Sequence, residues 1–324
     1  MEYSEGDYIQ TTDGLFFAVK GGRHDADLVV AVLRYIPDIT GDRVLDGVNY
    51  RRIYDLNDST KYLLSSYPSY ISKIPWLGLE TQSVPTSKIT KVYNPKEKLE
   101  EILENPNTVL KKRIKNFVEA LSSTSGVNTS CYGLSGSLLI GLDNEASDID
   151  LNVYGEIEGR KVYAGLKKLR QNMEWITGYD SLSVEDVLVS RWGKTGLDLE
   201  KLRTIECRKI LHGRVFGVDY FIRLLREKDK STSIPLKSVT IRAKVTDSSE
   251  SIYTPCTYRV QSMSNEYPVV ELKSYRGKFT EQVEKNDIVE VNGILEKVTR
   301  DAEVFFRIIL GRAEDYLVSV DLIG

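Results

Sequence analysis

The sequence predicts an α+β protein with three parts: an N-terminal β-rich domain, a central domain with a mixed sheet and helices, and a C-terminal small β-barrel. Three observations support this division. Short apolar runs with turn signals fill residues 1–94, helical periodicity surrounds a strand pattern in residues 95–230, and six short strand patterns follow in residues 231–324. A length of 324 residues also fits two or three domains.

The composition predicts a cytoplasmic protein without a membrane partner. Hydrophobic residues make up 41% and charged residues 28% of the chain, and the acidic N-terminus has no apolar segment of a signal peptide. No apolar run approaches the roughly 18 residues of a membrane helix. The three cysteines form no CxxC pair, which argues against a disulfide framework and a cysteine zinc site. The two histidines argue against a His-rich metal site and most triad hydrolases.

Strand patterns dominate the first part. Asp13-Gly14 predicts a hairpin within residues 8–20, residues 28–36 predict a buried strand or short helix, and residues 88–93 predict another strand. Tyrosines are frequent in residues 50–70. Their rings could stack on bases, but half-buried strand positions are the favoured interpretation.

Helices dominate the second part and strands the third. We expect helices over residues 96–104, from Thr108 onward, 160–172, 183–190 with Ser183 as cap, and 197–207. We expect a buried strand over residues 214–223 and a polar linker over residues 226–233. The expected strands of the last part cover residues 239–245, 253–260, 269–275, 288–298, 305–310 and 316–320. Such a set suggests a small closed barrel, for which an OB-like fold is one form.

One stretch of the central part carries a chemical signal. The pair Gly136-Ser137 is followed, after ten residues, by Asp148-Ile149-Asp150. In a strand, a period of two places both carboxylates on one face. Two like charges side by side repel each other unless a cation lies between them, and Mg²⁺ prefers carboxylate oxygens. Glycine also lets backbone approach a phosphate closely.

A third carboxylate interrupts a later apolar run. Asp219 lies in the sequence RVFGVDYFIR, where Val215, Gly217 and Phe221 would share its strand face. A charge there is costly without a partner. One interpretation is that Asp219 faces the first two aspartates and shares a metal with them. The other is that it pairs with Arg214 or Arg223.

This combination resembles the nucleotidyltransferase superfamily typified by DNA polymerase β. Its signature is a hydrophobic-Gly-Ser turn, a gap of about ten residues and an Asp-hydrophobic-Asp strand, matched by residues 134–137 and 148–151. The resemblance implies a nucleotidyltransferase-like mixed sheet and an enzyme that transfers a nucleoside monophosphate from a nucleoside triphosphate to a hydroxyl acceptor, releasing pyrophosphate.

The resemblance also implies roles for residues. Asp148, Asp150 and Asp219 would bind Mg²⁺, or alternatively Mn²⁺, and act in catalysis. Asp219 would also help deprotonate the attacking hydroxyl. Gly136 and Ser137 would hold the β- and γ-phosphates of the nucleotide.

Basic residues are concentrated beyond the aspartate pair. Residues 201–237 contain 10 basic and 4 acidic side chains, a local positive field that could attract phosphates. Arg208, Lys209 and Arg214 are the predicted nucleotide-binding cations, and Arg191 and Lys194 are further candidates. For any single one, an ordinary surface position is an equally good interpretation.

Two other functions stay open. The chain could be a nucleotide- or RNA-binding protein without turnover, although intact Asp148 and Asp150 favour an enzyme. It could also be a nucleic-acid processing factor whose barrel supplies the activity. The net charge of −3 over residues 238–324, from 11 basic and 14 acidic side chains, weighs against that. A nucleic-acid acceptor, RNA or DNA, is compatible with the enzyme.

Overall fold

The protein is a mixed α+β structure with three separate β-sheets. The computed structural model describes residues 3–226, 230–263 and 266–322. Within these ranges no helix has both the length and the apolar character needed to cross a membrane. The linker predicted at residues 226–233 lies partly outside the described residues, because residues 227–229 are not among them.

The first part of the chain forms an eight-stranded sheet. Its elements are β1 (Tyr8–Thr11), β2 (Phe16–Val19), β3 (Leu28–Pro37), β4 (Arg43–Leu45), β5 (Val48–Arg52), α1 (Leu56–Ser66), β6 (Ile71–Ile74), β7 (Leu79–Pro85) and β8 (Ile89–Tyr93). The main path runs β4-β5-β3-β2-β1-β8, and β7 joins β6 to β3. The hairpin at Asp13-Gly14 and the strand over residues 28–36 are confirmed. Helix α1 is an addition to the sequence prediction. It begins where the side chain of Asp55 accepts a hydrogen bond from Asn57 N at 2.8 Å.

The central part forms a mixed sheet covered by helices. Its elements are α2 (Pro95–Glu104), α3 (Val109–Ser125), β9 (Tyr132–Leu134), α4 (Gly136–Ile140), β10 (Ile149–Tyr154), α5 (Glu156–Asn172), β11 (Ile176–Thr177), α6 (Glu185–Trp192), α7 (Leu199–Arg208), β12 (His212–Val215) and β13 (Val218–Leu225). The strand order is β11-β12-β13-β10-β9. Strand β10 is antiparallel to β9 and parallel to β13. Apolar residues of α2, α3 and α5 pack against this sheet.

Two local predictions for the central part were wrong. The single strand expected over residues 214–223 is a hairpin of β12 and β13, because Phe216 and Gly217 have φ of +49° and +79° and turn the chain. The cap of α6 is Val184, which makes no side-chain capping bond. The Ser183 hydroxyl instead donates to Asp180 Oδ1 at 2.8 Å and accepts from the amide of Asp180 at 3.0 Å, so both of these bonds lie within the preceding turn.

The N-terminal sheet has two buried faces. One face packs on α1 around Ile9, Phe17, Leu33 and Leu63. The other face packs on α4 of the central part. There Tyr8, Phe16, Tyr35 and Tyr50 of the sheet form one apolar cluster with Leu139 and Ile140 of α4. Tyr8, Tyr35 and Tyr50 are therefore buried strand residues. Within residues 50–70 the strand prediction holds only for Tyr50, because Tyr62 lies in α1 and the other tyrosines lie outside the strands. The second face brings the N-terminal sheet against the segment that follows Gly136-Ser137.

The last part forms a six-stranded sheet whose pairing closes on itself. Its strands are β14 (Thr232–Asp247), β16 (Cys256–Ser262), β17 (Val269–Ser274), β18 (Ile288–Arg300), β19 (Glu303–Leu310) and β20 (Tyr316–Ser319), and the same part of the chain contains β15 (Tyr253–Thr254). The order is β14-β16-β17-β19-β18-β20, and β14 also pairs with β18 along most of its length. Short strand β15 pairs instead with β13 of the central sheet. Apolar residues of α6 and α7, among them Trp192 and Leu202, pack together with residues from inside this barrel-like sheet.

Candidate active site

The turn after β9 lies directly against β10. Leu134 pairs with Leu151, and the amide of Ser135 donates to the carbonyl of Asp150 at 2.8 Å. Gly136 follows with φ of +69°, a conformation that L side chains rarely adopt. A Cβ added at Gly136 would overlap the carboxylate of Asp150. Both the backbone conformation and the close approach therefore require glycine.

The hydroxyl of Ser137 shapes the loop that leads to the aspartates. Ser137 is buried and donates to Ser147 Oγ at 3.2 Å. Ser147 Oγ also accepts from the amide of Asn144 at 2.9 Å and from Arg43 Nη1 at 3.2 Å. Ser137 thus positions the residue immediately before Asp148. Its backbone amide remains the group that the resemblance would assign to phosphate.

Asp148 and Asp150 form a close acidic pair. Asp150 is only 6% exposed and its Oδ1 lies 3.3 Å from Arg223 Nη2. The negative charge of Asp150, with burial as the second cause, raises the pKa of Asp148 to about 6, while Arg52 and Arg223 act in the opposite direction. A carboxylate whose ionised form is destabilised by a neighbouring negative charge suits a site for a divalent cation.

The oxygen ligands that Asp148 and Asp150 offer are of the kind that Mg²⁺ binds. Mg²⁺ is commonly held by one or two carboxylates, with waters and substrate phosphates completing its octahedron. Asp148 and Asp150 supply two such ligands. Among the residues that the structure describes, no group of three or more His, Cys, Asp or Glu side chains could hold a metal ion.

Asp219 lies on the neighbouring strand but has another partner. Phe221 is directly opposite Asp150 in the parallel ladder, so Asp219, two residues earlier, is on the same face towards Asp148. Its Oδ1 lies 3.0 Å from Arg214 Nε, with both side chains about half exposed. The ion pair with Arg214, one of the two interpretations from sequence, is therefore present. Burial, followed by the charges of Asp219 and then Asp148, raises the pKa of Tyr179, so this phenol lies near both carboxylates.

Two of the predicted nucleotide-binding cations, Arg208 and Lys209, have acidic partners away from the candidate site. Lys209 is fully buried, with Nζ 2.7 Å from Glu206 Oε1 and 2.6 Å from the carbonyl of Lys278. Arg208 Nη1 lies 3.3 Å from Glu284, at a cavity of about 660 Å³ beside the barrel-like sheet. Arg214 is the partner of Asp219. The structure therefore brings neither Arg208 nor Lys209 into contact with Asp148 or Asp150.

Other arginines surround the aspartate pair instead. Arg223 contacts Asp150, and Arg52 of β5 acts on the charge of Asp148. Arg34 of β3 lies close enough to Arg276, which follows β17, and to Arg52 and Arg223 for their positive charges to act on it. Sequence reasoning missed this set. The available signal was Arg34, the one charged residue in the apolar run LVVAVLRYIP.

Comparison with known proteins adds a distant relative. The chain is similar to an uncharacterized protein of Methanocaldococcus jannaschii, with 25% identity over 335 aligned positions covering 95% of each chain. No family model matches the chain. No solved structure matches it significantly.

Proposed function

We propose that this protein is a Mg²⁺-dependent nucleotidyltransferase of the DNA polymerase β-like superfamily. It would transfer a nucleoside monophosphate from a nucleoside triphosphate to a hydroxyl acceptor and release pyrophosphate. One observation carries the proposal: Gly136 is packed against Asp150, whose negative charge raises the pKa of the neighbouring Asp148. A tight glycine turn against paired carboxylates suits a triphosphate whose charge is shared between backbone amides and a metal.

The chain's own residues have distinct roles in this proposal. Asp148 and Asp150 hold Mg²⁺, which when bound neutralises charge on the transferred phosphoryl group. Gly136 lets the turn lie directly against the Asp150 carboxylate, because a Cβ there would overlap it, and so brings backbone amides beside the metal ligand. Arg223 orients Asp150 through its contact at 3.3 Å.

The third carboxylate has a conditional role. Asp219 accepts the proton of the attacking hydroxyl and contributes a metal ligand when it leaves Arg214. The side chain of Asp219 is 46% exposed and that of Arg214 is 43% exposed. Separating the two costs little free energy, since exposed ion pairs stabilise proteins little.

The remaining parts of the fold fit the same assignment. Strands β9, β10 and β13 with α4 supply the mixed sheet that a nucleotidyltransferase core requires. The closed pairing from β14 to β18 suits an OB-like barrel. The N-terminal sheet in turn covers the segment that follows Gly136.

Label transfer tests the proposal. The purified full chain, Mg²⁺ and each α-labelled nucleoside triphosphate are incubated with hydroxyl-bearing acceptors: RNA, DNA, protein and small molecules. We expect pyrophosphate release that Asp148→Asn and Asp150→Asn each reduce at least about 100-fold, because both charges act on the transferring group. Asp143→Asn, an exposed aspartate of the same loop, is the matched control. Full activity of Asp150→Asn would refute the metal assignment.

A second function has an observation in its favour. Asp219 is paired with Arg214, which is compatible with a protein that binds nucleotide without turnover. In that case, calorimetry finds nucleotide binding that depends on Mg²⁺ and Asp150, while no acceptor yields pyrophosphate.

A further inference from the structure

Three arginines beside the aspartate pair have no acidic partner. They are Arg34, Arg52 and Arg276, called here the arginine cluster. Among residues 3–226, 230–263 and 266–322, none of the three has a carboxylate within ion-pair distance. Half-buried arginines are normally paired, because an unpaired charge loses hydration without compensation. The cluster therefore needs an explanation.

Arg34 lies at a β-bulge of strand β3. Phe16 pairs with Tyr35 and Phe17 pairs with Leu33, so Arg34 is the extra residue of β3. A bulge changes the direction of a side chain relative to the regular strand and is common beside active sites. Arg34 is half-buried in a strand that is otherwise apolar.

Arg52 lies opposite Tyr35 on the neighbouring strand β5. Its guanidinium stacks over the ring of Tyr54 at 4.3 Å from the ring centre. Its Nε is buried and has no hydrogen-bond partner. An unsatisfied buried donor is costly, and an anionic oxygen would remove that cost.

Arg276 comes from the opposite side of the site. It immediately precedes the short helical turn Gly277–Phe279, and a Cβ added at Gly277 would overlap the ring of Phe221. Phe221 is the residue opposite Asp150 in the parallel ladder. Arg276 Nη1 donates to the carbonyl of Gly311 at 3.0 Å, which leaves further N–H groups for a ligand.

The charges of the cluster are close enough to repel each other. Burial lowers the pKa of Arg34, and the positive charges of Arg276, Arg52 and Arg223 lower it further. Acidic groups also act on these arginines: Asp55 and Asp315 act on Arg276, and Glu5 with the aspartate pair acts on Arg223. None of them forms an ion pair with Arg34, Arg52 or Arg276 among the described residues.

We propose that Arg34, Arg52 and Arg276 form a binding site for a phosphate-bearing group, built jointly by the N-terminal sheet and the barrel-like sheet. Planar guanidinium groups match the oxygens of phosphate in geometry as well as charge. The phosphate could belong to the nucleoside triphosphate or to the acceptor. Calling the site a substrate subsite depends on the proposed function, but anion binding by these residues does not.

Anion binding to the full chain tests the proposal. Inorganic tripolyphosphate and inorganic phosphate are titrated by calorimetry in the presence of a chelator, so that no metal contributes. We expect the wild type to bind tripolyphosphate, and Arg34→Gln, Arg52→Gln and Arg276→Gln each to weaken binding by about tenfold, the loss of one charge-assisted contact. Arg51→Gln is the matched control, because Arg51 is the neighbour of Arg52 but lies 2.6 Å from Asp38.

Thermal unfolding provides a second measurement. Tripolyphosphate should raise the Tm of the wild type, and the increase should be smaller in the three cluster variants. Without anion, the Tm of Arg34→Gln should equal or exceed that of the wild type, because a charge repelled by Arg276, Arg52 and Arg223 is gone. A variant that binds tripolyphosphate as the wild type does, or a wild type that binds no anion, would overturn the proposal.

Competition identifies the source of the phosphate. If tripolyphosphate competes with a non-hydrolysable nucleotide, the cluster holds the triphosphate. If inorganic phosphate and the nucleotide bind together, and the cluster variants weaken only the phosphate, the cluster holds the acceptor. Asp148→Asn separates the two proposals: it should keep anion binding through the cluster whether or not nucleotidyl transfer occurs.

Discussion

Gly136 contacts Asp150 so closely that a single added methyl group would overlap the carboxylate. The contact joins the turn after β9 to β10, which is the antiparallel neighbour of β9 in the central sheet. Under the proposed function, the backbone of the turn and the Asp150 carboxylate would face the same ligand. Substitution at this glycine is therefore a direct test of the candidate site.

Gly136→Ala should reduce label transfer by more than its loss of folding stability explains. Gly126 has a nearly identical φ, +68° against +69°, but no atom lies within 4 Å of its added Cβ. Gly126→Ala should therefore cost only the backbone strain, about 1 kcal/mol. Gly136→Ala adds displacement of Asp150 and should reduce label transfer about 100-fold or more. Urea unfolding and transfer assays of both variants measure this. Equal losses of activity would show that the contact with Asp150 is unimportant.

Ionisation of Asp148 should destabilise the fold. Its pKa rises from 3.8 to about 6 on folding, so the folded protein holds a proton that the unfolded chain loses between these values. Stability from this group is complete below pH 3.8 and is lost as the pH rises through about 6. The cost above that is about 2–3 kcal/mol.

Asp148→Asn should remove this pH dependence. At about pH 7.5 the variant should be more stable than the wild type by about 2 kcal/mol, and near pH 4 the difference should be small. Burial also raises the pKa of Asp7 to about 6, so Asp7→Asn identifies the second contribution in the same window. Chemical denaturation across this range is the measurement. An Asp148→Asn protein less stable than the wild type at pH 7.5 contradicts the prediction.

Arg214→Gln should release Asp219. If Asp219 is a third metal ligand, Mg²⁺ or Mn²⁺ should bind more tightly to this variant, by about threefold to tenfold, because a competing cation is gone. Asp219→Asn should have the opposite effect. The free energy of unfolding should change little in either variant, since both side chains are exposed by more than 40%. Metal affinity independent of both substitutions would leave Asp148 and Asp150 as the complete protein ligand set.

Local patterns predicted most strands and helices. The strand patterns after residue 238 follow period-two burial, as in β18, so they are visible without the fold. The alternation of residue types around Asp150 predicted β10, although both faces of that strand are buried. The sequence prediction missed helix α1, although Asp55 caps its start and Pro68 follows its end. The reason is that the tyrosines of this segment favour strands. The hairpin of β12 and β13 was missed because a positive φ at Phe216 is rare for a bulky residue.

The sequence by itself determined the central chemical pattern: a glycine turn, then two carboxylates on one strand face. Only the tertiary structure decided which cations accompany it. Arg208 and Lys209 are near in sequence to Asp219 but pair with Glu284 and Glu206. The arginine cluster is contributed by distant segments through a bulge in β3, the pairing of β5 and the packing of the Arg276 turn on Phe221. Such long-range packing depends on the shapes of two sheet faces, which no local periodicity encodes.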